Sequence, residues 1–352
     1  MNKNEEFKHL VLLIGTNPLP NFVVADYFLK INSKIKTIWL VHSEENRLQG
    51  GTNQQARNLE DLLKKRWVNK HSSLTFPLEK ISLSDVSDAV VIRREIEKKM
   101  LKRIASDSFH LNYTGGTKAM AIHTYLCLQE LPSNQQRSFS YLDTNNFRLI
   151  GDDEKIIADK LREKISLEFA ELIALHGFIR KNTDKDCPVN KQEQERLFNR
   201  FIEPGKKEDL KDGRWLEVYI AQKIRDKMSH KFNNSKLLQN WEIRKADWRT
   251  YFELDIILLY GYHLVGLSCT IASSKEKAKL KGFEIIQRCK QIGGDEVRAI
   301  IVTGLEQGVT ELLQEELEYE SGGTKKNILA LGLADLRKEE LYLRKIEDFV
   351  FN

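Results

Sequence analysis

The run HLVLLI (9–14) is short, apolar after His9 and stopped by a glycine, and a second short run of strand character stands at FHLNY (109–113). Each run ends in a small polar loop, GTNPLPN (15–21) and TGGTK (114–118), and helical spacing follows each loop. Apolar runs too short for helices, alternating with helical segments, predict parallel strands covered on both faces. Further strands are expected at Lys36–His42, Leu74–Leu83 and Ser138–Asp143, with Phe147–Ile150 after an Asn145–Asn146 turn. Helices are expected at Phe22–Ile31, at Gln54–Trp67, and from a Ser84 or Asp85 cap to about Ile104. The fold class predicted for residues 1–152 is therefore α/β, a parallel sheet flanked by helices.

The chain of 352 residues is long enough for two domains. Residues 153–212 are charge-rich and read as a helical connector, with loops at 181–190 and 203–213. From 213 to 352 a helix, three strands, a helix, a strand and further helices predict a second, α+β domain. Hydrophobic residues make up 41%, no apolar run is long enough to span a bilayer, and the first residues lack a signal-peptide core, so a cytoplasmic protein is expected. Four well-separated cysteines without a CxxC pair argue against a zinc site or disulfide framework. A net charge of +5 is compatible with a nucleic-acid partner without requiring one.

The two small-polar loops stand at the carboxyl ends of their strands, where open parallel sheets bind ligands. Gly115 and Gly116 let backbone approach a ligand, and a helix N-terminus attracts anions. A tight strand-to-helix turn with no ligand has the same sequence, and Lys118 also reads as a surface lysine. Neither a GxGxxG nor a GxxxxGK[ST] pattern occurs, which counts against an ordinary dinucleotide or nucleotide enzyme.

In YFELDIILLYGYHLVGLSCT (251–270), alternation puts Glu253 and Asp255 on one face and Phe252, Leu254 and Ile256 on the other. A turn at Gly261 returns the chain, so Ser268 and Thr270 come beside the acidic strand end. Glu217 interrupts an apolar helical stripe, where a carboxylate needs a partner. A metal ion shared with Asp255 is one such partner; a salt bridge is another. On the helix after Thr270, with Ser273 and Glu276 at capping-box spacing, Lys277, Lys281, Glu284, Arg288 and Gln291 form one polar stripe. The stripe is either a solvated face or the completion of the acidic site.

The series Glu217, Glu253-x-Asp255, Ser268-Cys269-Thr270 resembles a PD-(D/E)xK nuclease core. With GTNPLPN and NYTGGTK, the whole chain resembles the CARF–nuclease effectors of type III CRISPR systems, of the Can2/Card kind. The resemblance implies a Rossmann-like CARF domain followed by a restriction-endonuclease-like α+β domain. It implies a homodimer that binds a cyclic oligoadenylate, cyclic tetra-adenylate for choice, through Thr16, Asn17, Pro18, Thr114, Gly115, Gly116, Thr117 and Lys118. It further implies a manganese or magnesium ion on Glu217 and Asp255 and a DNA or RNA substrate. The family's ExK dyad would fall on Ser268 and Thr270, which supply neither carboxylate nor amine. The preferred expectation is that Glu284 and Lys281 have taken over those roles, with Lys279 a weaker alternative, and that Arg288 and Gln291 hold the substrate backbone. A non-catalytic regulator with a degenerate nuclease domain is the competing expectation.

Overall fold

The computed structural model of the chain describes all residues except 1–5, 46–49, 105–106, 133–134, 182–188, 204–212, 230–234, 246–250 and 323–325. Cys187 and most of the two loops expected at 181–190 and 203–213 lie outside the described residues. The chain divides into two units, Met1–Gly177 and Phe178–Asn352.

Unit 1 runs β1 (His9–Ile14), α1 (Leu19–Ile31), β2 (Thr37–Ser43), α2 (Asn53–Trp67), β3 (Glu79–Leu83), α3 (Ala89–Ile96), a π-helical turn (Glu97–Leu101), α4 (Lys102–Ile104), β4 (Phe109–Asn112), α5 (Lys118–Gln129), β5 (Arg137–Asp143), β6 (Arg148–Gly151), β7 (Ile156–Ala158), α6 (Leu161–Lys164) and α7 (Phe169–Leu175). The sheet order is β3-β2-β1-β4-β5-β6-β7. The first five strands are parallel, and β6 and β7 add antiparallel. All six residues of β1 are buried, as expected of a central parallel strand. Val11 and Leu13 pack among residues of α3 and α5, while α1 and α2 contact β1 and β2. Each such fully buried aliphatic side chain contributes roughly 1.5–3 kcal/mol.

A fully buried Asp26 ties the second layer together. It accepts from Trp67 Nε1 (2.9 Å) and pairs with Lys30 (2.9 Å) and Arg66 (3.4 Å). Arg66 also donates to Glu171 (2.7 Å), so one charge network joins α1, α2 and α7. Within β4, His110 is buried with Ser138 Oγ and Ser140 Oγ each 2.7 Å from its ring nitrogens, and it stacks on Phe7.

Unit 2 runs β8 (Phe178–Lys181), α8 (Lys191–Ile202), α9 (Arg214–Met228), β9 (Ser235–Lys245), β10 (Phe252–Tyr260), β11 (His263–Thr270), α10 (Lys275–Gly293), β12 (Arg298–Thr303), α11 (Gln307–Ser321), β13 (Ile328–Leu331), α12 (Leu333–Leu336) and α13 (Glu339–Phe351). Its sheet order is β13-β12-β11-β10-β9-β8. β8 to β11 are antiparallel neighbours, and β12 and β13 extend β11 in parallel. Ile256, Leu258, Val265, Leu267 and Cys269 form one core with α9 and α13. On the opposite face α10 lies so close that a Cβ on Gly266 would meet Cys289 Sγ at 2.2 Å.

The two classes of fold expected from the sequence are both present, with three local differences. Residues 153–212, expected as a helical connector, are shared between the units: β7 edges the first sheet and β8 edges the second. Both are short edge strands carrying or flanked by charge, which protects an open edge but disguises the strand. The helix expected from Ser84 or Asp85 starts at Ala89, capped by Asp88, because Asp85 is engaged with Ser87 and Ser84 with Glu95. The strand expected from Leu74 begins only at Glu79, beyond Pro77. No helix among the described residues is long and apolar enough to cross a membrane.

Burial pushes the His110 imidazole down to about 3. Neutral His110 therefore contributes stability that is complete above the ordinary histidine value near 6.5 and is lost as pH falls towards about 3. Nitrogen NMR of His110 is expected to show a neutral ring at pH 5; a doubly protonated ring at that pH would contradict the buried network.

Candidate active site

The chain steps outward from β1 to β2 and β3, then returns to place β4 on the other side of β1. This reversal opens a crevice between the carboxyl ends of β1 and β4, and both small-polar loops leave from it. The loops interlock through their glycines. A Cβ on Gly115 would lie 2.0 Å from the Leu13 carbonyl oxygen, and one on Gly15 would lie 3.1 Å from the Gly116 nitrogen. Gly116 has φ +75°, a conformation side chains disfavour. Asn21 Nδ2 donates to Leu13 O (2.9 Å) and closes the same junction.

The side chains of the loops have unequal freedom. Thr16, Thr117 and Lys118 are exposed, Asn17, Thr114, Gly115 and Gly116 are half-buried, and Pro18 is buried. Asn17 Oδ1 accepts from Leu19 N (3.0 Å) and lies 3.1 Å from His176 Nε2. Thr117 caps α5 by accepting from Met120 N (3.2 Å) and donates to Val86 O (3.1 Å). Its hydroxyl is thus spent on the turn. Thr114 Oγ1 accepts from Leu142 N (2.6 Å), which leaves its own proton to donate. Lys118 opens α5, where an ammonium beside the helix N-terminus is electrostatically suited to meet an anion.

In unit 2, a pocket of about 210 Å³ is lined by Arg214, Glu217, Glu253, Asp255, Ser268, Lys281, Glu284, Ile285 and Arg288. Glu217 enters from the first turn of α9, Glu253 and Asp255 from β10, and Lys281, Glu284 and Arg288 from α10. The pairing Ile256↔Leu267 sets Asp255 across from Ser268, whose hydroxyl donates to Asp255 Oδ2 at 2.7 Å. Burial raises the Asp255 carboxyl above its usual range; the Ser268 hydroxyl, the Lys281 charge and the Cys269 N–H oppose that rise. Burial pulls Lys281 down, but the Glu284, Asp255 and Glu217 carboxylates outweigh it and hold the ammonium above its usual value. Lys281 Nζ lies 3.2 Å from Glu284 Oε2. Cys269, buried on the other face of β11, is raised by burial and by the Glu217 and Asp255 charges.

A donor set made only of carboxylates fits a hard divalent ion such as Mg²⁺ or Mn²⁺. Among the described residues no three acidic, histidine or cysteine side chains converge closely enough to enclose a metal. Of the carboxylates lining the pocket, Glu217 of α9 and Asp255 of β10 would hold such an ion, with water or phosphate oxygens completing its shell.

The structure thus gathers Glu217, Asp255, Lys281, Glu284 and Arg288 in one place. Gln291 lies outside the pocket wall, and its Oε1 accepts from Arg288 Nη1 (3.3 Å). Lys279 is held by Glu316 (2.9 Å) and Glu320 (2.6 Å) of α11, away from the acids. Thr270 Oγ1 accepts from Ala272 N (3.2 Å) and serves the turn after β11. The helix cap is Ser274, accepting from Lys277 N (3.3 Å), rather than Ser273. Arg214 and Ser268 were not singled out as site residues from sequence. The signals existed: Arg214 is three residues before Glu217 on one helix face, and Ser268 is the cross-strand neighbour of Asp255.

Two variants test this geometry. Gly115→Ala forces the turn off Leu13 O and is expected to cost unit 1 about 1–3 kcal/mol in urea denaturation; an unchanged midpoint would contradict the interlock. Because Asp255 is raised, ionising it costs stability as pH rises from the ordinary carboxylate value through the folded one. Asp255→Asn is therefore expected to raise the melting temperature at neutral pH, with the difference shrinking in acid. A lower melting temperature at neutral pH would refute it.

Residues 9–168 match the family model described as the Card1 CARF domain. No curated protein matches the sequence. Two solved structures share the fold over nearly the whole chain. Can2 from Sulfobacillus thermosulfidooxidans, solved in complex with cyclic tetra-adenylate, aligns with a TM-score of 0.65 and 14% identity, covering 98% of this chain and 99% of that one. Protein VC1899 from Vibrio cholerae aligns with a TM-score of 0.66 and 12% identity, covering 98% of each chain. Residues 9–168 are thus similar to a Card1-type CARF domain, and the chain shares its fold with Can2 over nearly its whole length.

Proposed function

We propose that the chain is a cyclic-oligoadenylate-activated, metal-dependent nuclease of type III CRISPR defence. The observation that carries this reading is the unit 2 pocket, where two acids from different elements meet a lysine–glutamate pair. The Card1-type CARF domain, and the fold shared with a Can2 solved with cyclic tetra-adenylate, support the sensing half. In this reading two protomers form a homodimer around the ring, since a cyclic ligand of even symmetry matches a two-fold axis. Thr16, Asn17, Thr114, Gly115, Gly116 and Lys118 meet the ligand, while Pro18 and Thr117 hold the loop and the helix start. Ligand binding activates the nuclease only if it favours one of two arrangements of the dimer.

At the second site, Glu217 and Asp255 would hold a divalent ion, which supplies Lewis acidity and an acidified water when bound. Lys281 stabilises negative charge developing on the phosphate, and Glu284 keeps the ammonium in place. Arg288 contacts the nucleic-acid backbone from the pocket wall, with Gln291 orienting it. The expected experiment is incubation of the full chain with Mn²⁺ and each cyclic oligoadenylate, on supercoiled DNA and on single-stranded RNA. Cleavage should require cyclic tetra-adenylate and fall roughly 10²-fold or more in Asp255→Ala. No cleavage under any combination would overturn the nuclease reading.

A second reading is a non-catalytic regulator. It is favoured by Ser268 and Thr270 at the positions where the nuclease family carries its ExK dyad. Asp255→Ala separates the two, because a binding protein keeps its ligand response without that carboxylate.

A further inference from the structure

His176 closes α7, and only Gly177 separates it from Phe178, where β8 opens at the edge of the second sheet. Whatever holds His176 therefore holds the point from which the chain leaves unit 1. Two side chains distant in sequence reach this end of α7. Asn58 Nδ2 of α2 donates to Leu175 O at 3.1 Å. Asn17 Oδ1, in the loop after β1, lies 3.1 Å from His176 Nε2. The second tie thus comes from the loop that the proposed function gives to the ligand.

The chemistry of that tie is defined. Asn17 Oδ1 accepts from Leu19 N at 3.0 Å, which marks the oxygen of the amide as the atom facing the ring. On its other side His176 Nδ1 lies 2.9 Å from Leu172 O, a second acceptor. The protein packed around the imidazole pushes it down to about 4, so at neutral pH the ring carries a single N–H. One proton therefore faces two acceptors, one in the helix and one in the ligand loop, and serves one at a time. Losing the bond to Asn17 leaves no donor stranded, because the other tautomer donates to Leu172 O.

We propose that His176 is a positioning residue that links the ligand loop to the chain's exit from unit 1: a ligand donor that takes Asn17 Oδ1 leaves the imidazole proton to Leu172 O and frees the end of α7 from the loop. The adenine amino groups and ribose hydroxyls of a cyclic oligoadenylate are donors of this kind. This rests on the sensing reading above and is independent of the nuclease reading. It supplies the differential contact that any ligand-driven change requires.

The test uses the full chain with and without cyclic tetra-adenylate. Nitrogen NMR of the unaltered chain should show the His176 proton move from Nε2 to Nδ1 on ligand addition, and amide hydrogen exchange over residues 172–181 should rise. His176→Asn keeps a donor near Leu172 O but is too short to reach Asn17. It should bind the ligand within about fivefold of the unaltered chain, the worth of one hydrogen bond, and show no exchange response. His176→Gln carries its amide where Nε2 stands and should keep the response. A proton on the same nitrogen in both states, or an unaltered exchange response in His176→Asn, would overturn the link while leaving ligand binding standing. Failure of the unaltered chain to bind cyclic tetra-adenylate would overturn the sensing reading and this inference with it. The NMR arm is read on the unaltered chain, so it decides the matter even if a variant folds poorly.

Discussion

The antiparallel register Ile256↔Leu267 is the constraint on which unit 2 depends. Because side chains alternate, that one pairing sends Ile256, Leu258, Val265 and Leu267 into the α9 core and turns Glu253, Asp255, Gly266 and Ser268 to the other face. Gly266 then admits α10 against the sheet, since any side chain there would strike Cys289 or Ile285. The close approach of α10 brings Lys281 and Glu284 over Asp255. A slip of one residue would put the acids in the core and remove the site.

Unit 1 depends on a comparable close approach. The Leu13 carbonyl and the Gly115 backbone occupy space that a side chain would need, so the two loops after β1 and β4 form one surface. The polar groups nearest the junction are largely committed to building it: Asn21 to Leu13, Thr117 to α5 and Val86, and Asn17 to Leu19. What remains for a ligand is mostly backbone, the exposed Thr16, the Thr114 hydroxyl and the exposed Lys118. Such a surface recognises shape and negative charge more than a particular side-chain pattern.

Burial and charge are balanced differently in the two units. Unit 1 buries Asp26 with two cations and an indole N–H around it, which makes the carboxylate a structural fastener. Unit 2 half-buries Asp255 with the Ser268 hydroxyl, the Lys281 charge and the Cys269 N–H around it, and burial still leaves the carboxyl raised. A carboxylate raised by burial is one that a further positive group would stabilise, which is the property the proposed metal-dependent reading draws on.

The sequence by itself determined the two fold classes, the loops at the strand ends, and the faces of β10, because these follow from short-range periodicity. Glu253 and Asp255 shared a face by alternation alone, and Lys281 and Glu284 shared one by helical spacing. The short edge strands β7 and β8 were not legible, since IIA and FIRK are too brief for a pattern, and β8 takes its pairing from β9, distant in sequence. Lys279 and Lys281 could be ranked from spacing but not assigned partners; only the placement of α11 showed Lys279 held by Glu316 and Glu320. Nor could the sequence say that Ser268 would grip Asp255. A hydroxyl opposite a carboxylate becomes a hydrogen bond only at a definite distance, and that distance was decided by the packing of the hairpin between α9 and α10.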